Sequence, residues 1–218
     1  MVTVRGSQES VEARLRAGRL ACWCGGVLRP WGHARSRTVA AFTGLMSVRP
    51  RRARCAGCGR THVLLPAWLL SRRRYAAVVI FAALALRAAG AKVAAVAARL
   101  RLPSPGRPGQ FWSVPASTAR SWLSRFAGRA GQLRALFLRV LPLADAQARP
   151  VAPAGSSPGD ALAALQAVTE GLRARFGMDG LTAHEVAAHL TAAMLLAPSI
   201  PAPVFNTSLP LLAAVCSS

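Results

Sequence analysis

Two cysteine pairs, Cys22-Trp-Cys24-Gly-Gly and Cys55-Ala-Gly-Cys58-Gly, stand near the start of the chain with thirty residues between Cys24 and Cys55. Four thiolates complete a tetrahedral zinc site without any other ligand, so a chain that gathers them must close that whole loop on itself. The glycine after Cys24 and the one after Cys58 suit a metal knuckle, where backbone amides turn back toward sulfur and a side chain would obstruct the turn. Arginines around Cys55 favour its thiolate form. The expected ligands are therefore Cys22, Cys24, Cys55 and Cys58, holding a structural Zn2+ with no open position for catalysis. Cys55-x-x-Cys58 has the usual knuckle spacing, whereas Cys22-x-Cys24 is one residue shorter. A tighter chelate, displacement of Cys22 with recruitment of His33 or His62, and a decayed site all remain open. Clustering in two Gly-flanked pairs argues against random core thiols, and a cytosolic setting argues against disulfides. Cys216 stands alone near the C-terminus.

Charge divides the chain. Residues 1–149 hold 26 of the 28 basic residues and 3 of the 7 acidic ones, a net +23, while residues 150–218 carry −2. A codon bias toward arginine explains why Lys92 is the single lysine, but not why acids are nearly absent before residue 150. The first two-thirds is expected to meet a polyanion. The apolar runs at 75–86 and 190–200 fall short of the roughly 20 residues of a spanning helix, so no membrane partner is expected. The N-terminus shows no apolar signal segment, and a cytoplasmic, nucleoid-associated location follows.

Pattern along the chain predicts a mainly α protein: a small N-terminal zinc-ribbon-like β module, then a helix-turn-helix bundle and a C-terminal helical segment. Residues 1–20 read as a basic arm, and 21–66 as the cysteine module with short strands at 27–28, 38–43 and 45–48. Residues 61–70 read as a connector. Apolar spacing predicts helices at 72–90, 92–102, 117–126 and 133–141, grouped as one domain over 72–141. Proline, glycine and serine mark 142–159 as a linker. Helices at 160–176 and 182–196 and a Pro-rich tail make up 160–218, with Thr182 and Glu185 spaced as a capping box.

Within the helical part, AKVAAVAARLRLP (91–103) resembles the bracing helix of a helix-turn-helix and ASTARSWLSRF (116–126) its recognition helix. Ala119, Trp122, Leu123 and Phe126 form the inner stripe. Ser117, Thr118, Arg120, Ser121, Ser124 and Arg125 then face outward, a set suited to base edges and phosphates. Residues 104–115 lengthen the turn, either as a wing-like loop with Arg107 on phosphate and Phe111 or Trp112 packed beneath, or as a disturbance of the helix pair. Arg51, Arg52, Arg72, Arg73 and Arg74 are the expected phosphate contacts.

The segments CGGVLRPWGHARSR, RPRRARCAGCGRTHVLLP, RRRYAAVVIFAAL and STARSWLSRF occur in that order. Over roughly residues 20–140 the chain resembles zinc-ribbon plus helix-turn-helix proteins of unknown function encoded near transposases in high-GC bacteria. The resemblance implies a mobile-element accessory factor or DNA-binding regulator, with Cys24, Cys55 and Cys58 on the family's cysteine positions. Cys22 departs from the family's C-x-x-C spacing.

The resulting expectation is a DNA-binding protein, not an enzyme, with duplex DNA as partner and a transposase or a second copy of the chain as further candidates. No small-molecule substrate is expected. Metal-dependent strand transfer needs clustered carboxylates, and before residue 150 there are only Glu9, Glu12 and Asp145. The alternatives are an RNA-binding or protein-interaction zinc-ribbon module, and the remnant of a transposase DNA-binding region. The C-terminal helices suit dimerisation or plain core packing equally.

Overall fold

Residues 1–197 are described by the structure, a computed structural model. The Pro-rich tail from 198 onward, with Cys216, lies outside the described residues. The N-terminal part runs β1 (Val2–Val4), α1 (Gln8–Arg16), β2 (Leu28–His33), β3 (Arg37–Ala41), β4 (Gly44–Val48), β5 (Arg51–Cys55) and β6 (Thr61–Pro66). Helices α2 (Ala77–Ala88) and α3 (Val93–Arg99) follow, then a hairpin of β7 (Arg101–Pro103) and β8 (Phe111–Ser113). The chain continues through α4 (Ala116–Ala127), α5 (Ala130–Ala144), α6 (Ser157–Phe176) and α7 (Ala183–Leu190).

Of the described residues, 42% are helical and 21% extended, so the fold is mixed α/β and not mainly α. The expectation failed because many of the strands are only three to six residues long. Several carry arginine on their solvent side, which hides the two-residue alternation that marks a strand. Residues 61–66, read as connector, form β6 in the middle of a four-stranded sheet ordered β1-β6-β5-β2. Residues 1–20, read as an arm, form β1 and α1. Strand β1 pairs in parallel with β6 through Val2–Leu64 and Val4–Pro66, and Ser7 caps α1 by accepting a hydrogen bond from the Ser10 amide.

Two cores result. The smaller lies between α1 and the sheet and contains Val2, Val4, Val11, Leu15, Leu28, Ala53 and Leu64 together with Cys22 and Cys55. The larger is continuous from Val39 to Leu196. The β3–β4 hairpin belongs to the larger one: Val39, Ala40 and Ala41 are buried in it, and Ala40 exchanges backbone hydrogen bonds with Arg74 and Ala76. Helix α2 is apolar on most of its surface and sits at the centre, against α3, α4, α6 and α7. Its first turn lacks a side-chain cap, and the Ala77 amide bonds instead to the Trp68 carbonyl at 2.8 Å.

Residues 142–159, expected as a linker, do not separate two bodies. Helix α5 continues to Ala144 with Pro142 inside it, and α6 already starts at Ser157, capped by Ser156. The two helices pack closely where Gly171 meets Ala144; a Cβ on Gly171 would lie 3.0 Å from Asp145 Cβ. Helix α7 begins with a complete capping box between Thr182 and Glu185. It then touches β1, where Thr3 Oγ1 donates to the Ala188 carbonyl and Arg5 pairs with Glu185. No helix among the described residues is long and apolar enough to cross a membrane.

Candidate metal centre and basic surface

The four paired cysteines meet at one end of the sheet. Cys22 and Cys24 lie on a tight turn closed by Gly25 N–H to Cys22 O (2.9 Å) and Cys22 N–H to Gly26 O (2.8 Å). Cys55 ends β5, and Cys58 follows on a second turn in which the Cys58 amide points at Cys55 Sγ (3.4 Å). The Ala56 amide bonds to the Val27 carbonyl and ties the two turns together. All four sulfurs lie within 4.8 Å of one another, with no disulfide between them. Cys22 and Cys55 are buried, and Cys24 and Cys58 exposed.

These distances fit a tetrahedral ion. A metal–sulfur bond of about 2.3 Å implies sulfur–sulfur edges of about 3.8 Å, and the structure has Cys22–Cys58 at 3.7 Å and Cys24–Cys55 at 3.4 Å. The short Cys22-x-Cys24 spacing is accommodated by the glycines after it. Gly25 takes a positive φ of 80°, and Gly26 passes so near the second knuckle that a Cβ there would fall 2.6 Å from Cys55 Sγ. Sequence reasoning noticed the knuckle glycines but not that Gly26 is the one the site closes on.

The thiols are electrostatically unequal. Burial pushes Cys22 up to about 12, whereas the Gly26 amide and the neighbouring thiols pull Cys24 down to about 6. Of the two histidines considered as alternative ligands, His33 is exposed beside Arg51 and away from the sulfurs. His62 is buried on β6 with Nε2 3.2 Å from Cys22 Sγ. It stands behind a ligand in place of replacing one. Burial lowers its pKa; Nε2 faces the sulfur, with the tautomer deciding which atom donates, and Nδ1 has no hydrogen-bond partner.

The residues nominated for nucleic acid fall into three groups. On α4, Ala119, Trp122, Leu123 and Phe126 are buried, while Ser117, Arg120, Ser124 and Arg125 are exposed and Thr118 and Ser121 half-buried. Arg125 leans on Ser121 through a 3.3 Å hydrogen bond. The lengthened turn before α4 folds back on itself as the β7–β8 hairpin. The Val114 amide bonds to the Leu100 carbonyl at its base (3.1 Å), so the end of α3 and the start of α4 meet despite the insertion. Trp112 packs beneath, donating Nε1–H to the Pro103 carbonyl, with Tyr75 wedged between it and Trp122. Arg107 is exposed at the hairpin tip.

Arg72, Arg73 and Arg74 precede α2. Arg72 and Arg74 are exposed; Arg73 donates to the Leu196 carbonyl and lies near enough to Arg125 for the two charges to repel. That loop and the end of α4 therefore form one basic surface. Arg120 and Ser124 also overlook a cleft of about 550 Å³, bounded by Arg87, Gly90 and the segment from Ala154 to Pro158.

Arg51 and Arg52 part company. Neighbouring residues of a strand face opposite ways, and Arg51 turns inward to α1, where Glu12 holds it at 2.9 Å. Its expected role as a free phosphate contact is not what its surroundings show. Arg52 takes the solvent side with Arg54. That side also carries Arg29 and Trp31 of β2, which sequence reasoning passed over.

Residues 21–99, from the first cysteine turn to the end of α3 and short of α4, are similar to a family described as a domain of unknown function (DUF6431). No curated protein and no solved structure matches the chain significantly.

Proposed function

We propose that the chain is a DNA-binding protein in which α3 and α4 act as a helix-turn-helix and the four cysteines hold a structural Zn2+. The observation that supports this most is α4 itself. One stripe is buried, and the rest presents hydroxyls and arginines beside the basic loop at 72–74. Arginine and small hydroxyls are the side chains that reach guanine, other base edges and phosphates in a major groove. The charge of residues 1–149 supplies sequence-independent affinity, which falls with salt by a log–log slope of about −0.9 per neutralised phosphate.

Zinc in this reading is architectural. When bound it cross-links the two turns, and the residues that would hold it are Cys22, Cys24, Cys55 and Cys58. The Cys58 amide and His62 steady the buried sulfurs. A role as transcriptional regulator or mobile-element accessory factor, in the cytoplasm on the nucleoid, is the setting that goes with it, and no catalytic step belongs to it. Selection of bound duplexes from a random pool, near physiological salt with competitor, tests the reading. Enrichment of a defined motif whose discrimination drops in Arg120→Ala supports it. Tight binding with no enriched motif, or cleavage of DNA by the pure protein with magnesium, overturns it.

A further inference from the structure

The solvent side of β2 and the first cysteine turn that precedes it carry two exposed tryptophans that the helix-turn-helix reading does not use. Trp23, in the first cysteine turn, and Trp31, on β2, are each 51% exposed, unusual for the largest apolar side chain. An arginine lies over each ring: Arg60 at 4.5 Å from the Trp23 centroid and Arg54 at 5.0 Å from that of Trp31. Arg29 stands directly opposite Arg54 across the β2–β5 ladder, a pairing of like charges that opposes folding unless an anion lies over it. Among the described residues, neither of these arginines nor Arg52 or Arg60 has a carboxylate partner. The face is thus cationic, aromatic and without counter-charge of its own.

We propose that this face binds a single-stranded DNA segment, with bases stacking on Trp23 and Trp31 and phosphates following Arg29, Arg52, Arg54 and Arg60. Charge complementarity selects a polyanion. The exposed rings select one whose bases are unpaired, because a duplex hides its base faces and a single strand offers them. Nothing in the placement depends on α4, so the site stands or falls separately from the duplex reading above. A strand bound here would be held rigidly, since both tryptophans sit on or beside the cysteine turns and the ladder of β2 with β5.

The test is fluorescence anisotropy of the full chain, with its cysteines metal-loaded, against one labelled sequence as single-stranded DNA, duplex DNA and single-stranded RNA. Trp23→Ala and Trp31→Ala are each expected to weaken binding to the DNA strand by about 5- to 150-fold, the worth of one stacked base, with duplex binding changed less than about twofold. Trp→Phe at either position keeps an aromatic face and should restore most of the loss. Arg120→Ala should show the opposite selectivity. If an alanine variant unfolds, Arg29→Gln together with Arg54→Gln carries the same expectation. Equal losses on strand and duplex, no loss on the strand, or a preference for the RNA strand would overturn the proposal. Failure of Arg120→Ala to affect the duplex would count against the α4 reading alone.

Discussion

His62 Nε2 lies 3.2 Å from Cys22 Sγ, so a buried sulfur of the cysteine cluster has a buried imidazole behind it. Groups placed this way orient a ligand and stabilise its thiolate, and their removal usually costs about 10- to 100-fold in metal affinity. His62→Phe should therefore weaken zinc binding by that order in a chelator competition, while His62→Gln, which keeps a donor, should lose less. Equal affinities for the two variants and the parent would remove His62 from the site.

Gly26→Ala is the sharper perturbation. Its Cβ would fall 2.6 Å from Cys55 Sγ and 3.0 Å from the Gly57 amide nitrogen, and the second neighbour is backbone that cannot swing aside. The two turns must separate, so the variant should lose most of its zinc and the protection of its β2 and β5 amides from exchange. Retention of one zinc per chain at the parent's affinity would contradict the packing described.

Neighbouring arginines should behave differently. Arg51→Ala breaks a half-buried pair with Glu12 and is expected to cost about 1 kcal/mol of stability, with DNA affinity nearly unchanged. Arg52→Ala should leave the melting temperature where it is and weaken binding to single-stranded DNA of every sequence alike. Denaturant unfolding and binding isotherms on both variants decide; matching effects on binding would mean that strand parity does not separate them.

A fourth expectation concerns pH. His189 on α7 is fully buried, and burial holds its pKa at about 4, with Glu185 raising it and Arg5 and Arg14 lowering it. The unfolded chain takes up that proton near pH 6.5, so the unfolded state binds more protons between the two values and stability rises with pH there. His189 thus contributes fully above about pH 6.5. Roughly 3 kcal/mol is lost by the time the pH falls to about 4. The stability difference between the parent and His189→Gln should follow that window; a difference independent of pH would show that His189 has the same pKa in the folded and the unfolded chain.

Much of the cysteine site was legible because metal chemistry writes itself as residue type and spacing. The stripe of α4 was legible because seven residues suffice to show a 3.6-residue period. Strand β1 was not: three residues, Val2 to Val4, show no period, and their partner β6 is remote in sequence. The difference between Arg51 and Arg52 was hidden for a related reason, since parity means nothing until a strand and its buried face are known. Pro142 misled in the other direction. It lies in the last turn of α5, which tertiary packing against α6 keeps helical in spite of the missing amide.

The contact between Thr3 and Ala188, 185 residues apart, bears on how the protein is made. At a synthesis rate of about 5–20 residues per second, β1 waits roughly 10 to 40 seconds for the helix it touches. During that interval the sheet edge formed with β6 can be complete while the surface that α7 will cover is still bare. A nascent chain stalled before α7 should therefore already hold its metal, yet expose Thr3 and Arg5 to chaperones or to a second ribosome's product.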